Sequence, residues 1–340
     1  MSKDWVHGGT DALGVPAHDF STNRNACGPC PQAVAALHAA HCAQYPDPGY
    51  HELCQQLAQF HGVDAARIVV AGSASEFIHR ITMHAVRQGA QHVSLPPHHY
   101  GDYPQAAQVW GLPVVERASH VAGPGLHWAC APSSPLGLEE DIGNQWATAA
   151  PAGAWRVLDC AYAPLRLTAM PPLPFLDNVW QMWTPNKALG MTGVRAAYAI
   201  APVHVGAQEL GALRQLAPSW VVGAHGVAML QAWVMPAVQQ WLHTSLETLR
   251  YWKKLQLQLC EDLGWAVVHG NQANYFVARW PADVQVCMPQ RLAALRAQGV
   301  KLRDATSFGL PGCVRMGVLP PASQQALAQA WASLQERTLA

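Results

Sequence analysis

Short apolar runs and stretches of helical spacing alternate along most of the chain. Residues 31–43 place Val34, Leu37, Ala40 and Cys42 on one face, which predicts a helix. The turn cluster Tyr45-Pro46-Asp47-Pro48-Gly49 separates it from a second helix through Leu53, Leu57 and Phe60. The β-rich run 68–71 then breaks at Gly72-Ser73-Ala74-Ser75-Glu76 into a helix through Phe77, Ile78, Ile81 and Ala85. Residues 91–95 predict a strand ahead of a helix through Ala106 and Val109. Further strands are expected at 114–116, 155–159, 179–183 and 197–201, and Trp128-Ala129-Cys130 runs into Ala131-Pro132-Ser133-Ser134-Pro135-Leu136-Gly137. Beyond them lie a helical stretch over 205–235 broken at Pro218-Ser219-Trp220, and a long amphipathic helix over 237–263. The chain closes with a strand starting within 270–277, a helix over 289–298, a strand at 314–318 and a helix over 322–336.

With 340 residues the chain has room for two domains and a substantial core. A formal net charge of +0 without any basic run excludes nucleic acid and acidic membrane surfaces as expected partners. The segment Met1-Ser2-Lys3-Asp4-Trp5 has no apolar leader, and no apolar run reaches membrane-spanning length, so a soluble cytoplasmic protein is expected. Only 12% of residues are charged while 50% are hydrophobic, which hints that a second subunit covers part of the exterior. Nine cysteines, an odd number, argue for a reducing compartment and against a disulfide framework. Cys27-Gly28-Pro29-Cys30 matches C-x-x-C, but no thioredoxin-like βαβ unit surrounds it, and it reads as a Gly-Pro turn. No set of ligands at zinc spacing completes a metal site.

The chemistry concentrates in Thr184-Pro185-Asn186-Lys187-Ala188-Leu189-Gly190-Met191-Thr192-Gly193-Val194-Arg195. A lysine flanked by a hydroxyl and an arginine offers an amine for an aldehyde and donors for a phosphate, the needs of pyridoxal 5'-phosphate (PLP). The turn at Ser73, Ala74 and Ser75 aims backbone N–H groups and a helix dipole at an anion. Asp159 ends an apolar strand, where a carboxylate is costly unless a cation such as a protonated ring nitrogen pairs with it. Arg315, inside another apolar strand, likewise needs an anion.

These motifs resemble, in order and over nearly the whole chain, the class I/II (fold-type I) PLP-dependent aminotransferases. Thr184 to Arg195 is similar to that family's S-x-S-K-x-x-G-x-x-G-x-R, and Asp159-Cys160-Ala161-Tyr162 to its D-E-A-Y. The resemblance implies an α/β fold: a mostly parallel seven-stranded sheet with helices on both faces, plus a smaller α+β domain from both chain ends. The large domain is expected over 41–236, the small one over 1–40 and 237–340. Lys187 would form the Schiff base and move a proton, Asp159 would hold the ring nitrogen, and Tyr162 would reach O3′. Tyr100 would stack on the ring; Ser73, Ala74, Ser75, Thr184 and Arg195 would bind the cofactor phosphate. Tyr45 would reach a neighbour's cofactor, which implies a homodimer with shared active sites. Ser134 stands where the family has the asparagine that donates to O3′.

Arg315, with Arg303, Asn25, His7 and Arg24, is a candidate to hold a small-molecule amino substrate. The Tyr45–Pro48 segment and the layout resemble histidinol-phosphate aminotransferase, implying transamination of an amino acid or amino-alcohol phosphate. His7-Gly8-Gly9 and Leu302-Arg303-Asp304 through Arg315 resemble L-threonine-O-3-phosphate decarboxylases of cobalamin biosynthesis, the alternative.

Overall fold

The computed structural model describes residues 8–117, 123–140, 142–146, 150–169, 173 and 175–339. Seven strands form the large sheet: β1 (Ile68–Ala71), β2 (His92–Leu95), β3 (Val114–Glu116), β4 (Gly125–Cys130), β5 (Ala154–Asp159), β6 (Trp180–Trp183) and β7 (Ala197–Ile200). Their spatial order is β1-β7-β6-β5-β4-β2-β3. Every pairing from β6 to β3 is parallel, whereas β7 runs antiparallel to both β6 and β1. Strands β1, β2 and β7 are buried along their whole length, as expected of a sheet covered on both faces; β3 at the edge is partly exposed.

Helices supply the cover: α1 (Pro31–Ala39), α2 (His51–His61), α3 (Ala74–Arg87), α4 (Asp102–Val109), α5 (Ala207–Gln215), α6 (Ala224–Trp233) and α7 (Pro236–Asp262). A smaller antiparallel sheet follows, of β8 (Ala266–Val267), β9 (Tyr275–Arg279), β10 (Arg303–Asp304) and β11 (Cys313–Gly317), in the order β10-β11-β9-β8. Helices α8 (Met288–Ala297) and α9 (Pro321–Leu339) accompany it, and Trp265, Trp280 and Trp331 pack together in its core. The N-terminal segment joins this body: His18–Asp19 pairs in parallel with Val300–Lys301, and the Gly317 N–H donates to the Phe20 carbonyl at 2.7 Å.

Two expected boundaries shift. Helix α1 stops at Ala39 because Ala40 turns extended, with ψ 136°. The strand expected from about 270 begins at Tyr275; the preceding loop spends side chains on backbone carbonyls, Asn271 on that of nearby Val268 and Asn274 on that of distant Arg24. No helix among the described residues is long and apolar enough to cross a membrane.

Candidate active site

A cavity of about 780 Å³ lies at the carboxyl ends of the parallel strands, where open α/β sheets place ligands. Its first wall is the turn after β1. Ser73 caps α3, its extended backbone letting Oγ accept the Glu76 N–H at 3.0 Å, so the hydroxyl proton remains available to the cavity. Ser75 differs: its hydroxyl donates to Oδ2 of the buried Asp102 at 2.5 Å. Across from this turn, Thr184 lines the cavity with a buried Oγ1 that has no protein partner. The exposed Arg195 adds a cation to the same wall.

The floor holds Asp159, at 4% exposure. Its Oδ1 accepts the Ala161 N–H at 2.8 Å and its Oδ2 the Tyr103 hydroxyl at 2.7 Å. Burial pushes the carboxyl up from its ordinary value; the nearby charge of Lys187 pulls in the opposite direction. Lys187 sits on the helical turn Pro185–Ala188, its Nζ 5.2 Å from the centre of the Tyr162 ring. Tyr100 and Ser134 also line the cavity, Ser134 preceding a cis bond to Pro135. Burial, and then Asp102, push the Tyr100 phenol up.

The N-terminal segment clasps the lysine turn. The Asn25 N–H donates to the Lys187 carbonyl and the Cys30 N–H to that of Leu189, both at 2.9 Å. Gly190, at φ +70°, lies so close that a Cβ there would meet the Gly28 Cα at 2.8 Å. Cys27 and Cys30 flank this contact, and burial pushes both thiols up, Cys27 to about 11, away from the thiolate that redox chemistry needs.

The small sheet provides the opposite wall. Arg303 on β10 and Arg315 on β11 are register partners, and their guanidiniums lie 4.7 and 5.4 Å from the centre of the Phe308 ring. Arg315 donates to the Ser21 carbonyl at 2.9 Å, while its Nε is buried without a protein partner. Arg303 donates to the Ser307 hydroxyl at 2.8 Å; burial, then the Arg315 charge, pull its pKa down to about 10. Two cations side by side on one wall of a cavity gain from an anion bound between them.

The model of the family "Aminotransferase class I and II" matches residues 16–334. The chain belongs to that family. Among curated relatives, a histidinol-phosphate aminotransferase from Jannaschia sp. (strain CCS1) is 27% identical over 325 residues, spanning 89% of this chain and 87% of its own. Among solved structures, the histidinol-phosphate aminotransferase of Sinorhizobium meliloti in complex with PLP is similar in fold, with TM-score 0.76 at 21% identity, covering 92% of this chain and 90% of that one. The L-threonine-O-3-phosphate decarboxylase of Porphyromonas gingivalis aligns with TM-score 0.69 at 20% identity, over 90% and 94% of the two chains.

An aminotransferase of this family uses PLP, and the residues present fit it. The unpartnered Thr184 hydroxyl, the Ser73 hydroxyl, the N-terminus of α3 and Arg195 match a phosphate; buried Asp159 matches a protonated ring nitrogen; Lys187 offers the amine. Arg303 and Arg315 add two cations to the same cavity.

Not every residue singled out in the sequence lines this cavity. Asn25 is buried, its amide donating to the Ala188 carbonyl and to Ser245 Oγ, so it supports the lysine turn. Arg24 is not in the lining, and Tyr45 lies outside it, 77% exposed and stacked on Trp220. His7 falls outside the described residues, next to Gly8, which lines the cavity. Conversely, Asn23 and Phe308 line the cavity and Tyr103 stands behind Asp159, none of them singled out in the sequence; Asn23 Nδ2 donates to the Tyr162 hydroxyl at 3.4 Å. Only Tyr103 carried a signal, the second tyrosine of Tyr100-Gly101-Asp102-Tyr103.

Proposed function

We propose that this enzyme transaminates a small amine bearing a phosphate, in the manner of histidinol-phosphate aminotransferases. The carrying observation is that Lys187, Asp159 and the Arg303–Arg315 pair open on one cavity. When bound, PLP supplies an aldehyde for the substrate amine and a ring that stabilises negative charge on the adjacent carbon. Lys187 would hold the cofactor through its amine, and the same amine, when free, would be the base that takes the proton from the carbon α to the substrate's nitrogen. Asp159 would hold the ring nitrogen protonated, Tyr162 would donate to the ring hydroxyl, and Tyr100 would cover the ring face. Ser134, which lines the same cavity, would offer that ring hydroxyl a shorter donor than the asparagine of the family pattern.

Arg303 and Arg315 bind the substrate's anionic group and fix which bond at the reacting carbon is broken. Tyr45 serves a second subunit's site, so the working unit is a homodimer.

The pairing of two arginines also favours a second reading. Threonine phosphate carries a carboxylate and a phosphate, and two neighbouring guanidiniums suit two anions. Decarboxylation then replaces transamination. Supplying histidinol phosphate with 2-oxoglutarate, and separately threonine phosphate alone, distinguishes them. Glutamate formation is expected in the first mixture; release of CO₂ from the second without any keto acid would replace the aminotransferase reading with the decarboxylase.

A further inference from the structure

Tyr103 stands behind Asp159, outside the cavity lining and 1% exposed. Its ring stacks on Trp128 of β4, centres 4.4 Å apart and planes 12° apart, with Tyr100 edge-on at 5.7 Å. Held in this way, its hydroxyl donates to Asp159 Oδ2 at 2.7 Å. Burial pushes the phenol well above its ordinary value, so the donor keeps its proton. The backbone N–H of Ala161 fixes the other carboxylate oxygen. Two donors on separate elements, α4 and the turn after β5, therefore set the plane of a carboxylate that faces the cavity. Of the charged groups around it, Lys187 favours the anion and Asp102 opposes it. Cys130, Cys160 and Tyr275 stay neutral, because burial pushes each of them up.

We propose that Tyr103 is a positioning residue, whose hydroxyl keeps Asp159 anionic and aimed at the cofactor's ring nitrogen. This rests on the reading of Asp159 as the partner of that nitrogen. A carboxylate buried this deeply takes up a proton when a donor is withdrawn, and a neutral acid no longer stabilises a protonated ring.

The test is PLP affinity of the cofactor-free protein across pH, read by tryptophan fluorescence, for Tyr103→Phe, Asp159→Asn and the double variant. Y103F is expected to bind PLP roughly ten- to a hundredfold more weakly at neutral pH, the loss of one hydrogen bond to a charged group. The deficit should shrink as pH rises, and kcat should fall with little change in KM. On the D159N background the same substitution should add nothing. Trp128→Phe keeps the hydroxyl but loosens its clamp, and should move the pH profile the same way by less. An unmoved profile in both Y103F and W128F, or an equal Y103F deficit with and without Asp159, overturns the proposal. PLP binding by D159N at wild-type strength would instead overturn the reading of Asp159 beneath it.

Discussion

At the scale of single residues, the site is built from groups that are poorly satisfied in the protein alone. Thr184 Oγ1 and Arg315 Nε are buried without protein partners, and Asp159 is a carboxylate whose pKa burial drives upward. A raised folded-state value means that the folded chain binds more protons than the unfolded one between the unfolded carboxylate pKa, about 3.9, and the folded value. Stability of the cofactor-free protein therefore falls as pH rises through that window. Asp159→Asn removes the titration. The cofactor-free variant should melt higher than wild type at neutral pH, converge with it below about pH 4, and bind PLP more weakly. Scanning calorimetry at both pH values checks the sign; a lower neutral-pH melting temperature for the variant would show that the carboxylate is net stabilising where it sits.

At the scale of elements, α3 and its cap make the sharpest contrast. Ser73 accepts from the helix and keeps its proton, whereas Ser75 has committed its proton to Asp102. Ser73→Ala should cost about 1 kcal/mol in denaturant titration, the usual value of an N-cap, and weaken PLP about tenfold. Ser75→Ala should weaken PLP less; an equal or larger loss would mean that its hydroxyl turns toward the cofactor. The strand, the turn and this helix were legible because apolar period and small-residue turns are local signals. So were the Lys187 turn and Asp159, which sit at the ends of predicted strands. The clasp of residues 25–30 on that turn was not, since it consists of backbone bonds and the Gly28–Gly190 approach across some 160 positions. Nor was the Tyr103–Asp159 bond, 56 residues apart and formed only once α4 packs on β4. The pairing of Arg303 with Arg315 depends on strand register, which alternating apolar residues do not number.

At the scale of the whole molecule, the cavity has one wall from the large sheet and one from the small, and Tyr45, expected to serve a neighbour's cofactor, lies outside it. Tyr45 and Trp220 stack at 4.4 Å while remaining 77% and 42% exposed, an aromatic pair left in water by a chain with few charged residues. In the proposed homodimer, cover by a second copy would resolve that exposure and would bring a phenol to the neighbour's cofactor. Mixed dimers test this directly. A Lys187→Ala homodimer has no amine at either site and should be inactive. A Tyr45→Phe homodimer lacks the phenolic donor at both sites and should bind PLP about tenfold more weakly. When the two chains are combined and the heterodimer is isolated through different tags, the site bearing Lys187 draws its Tyr45 from the K187A chain. One site of the pair is then wild type, and about half of wild-type activity should return at limiting PLP. If Tyr45 acted within its own chain, the lysine-bearing site would keep the phenylalanine, and the heterodimer could not exceed half the activity of the Y45F homodimer.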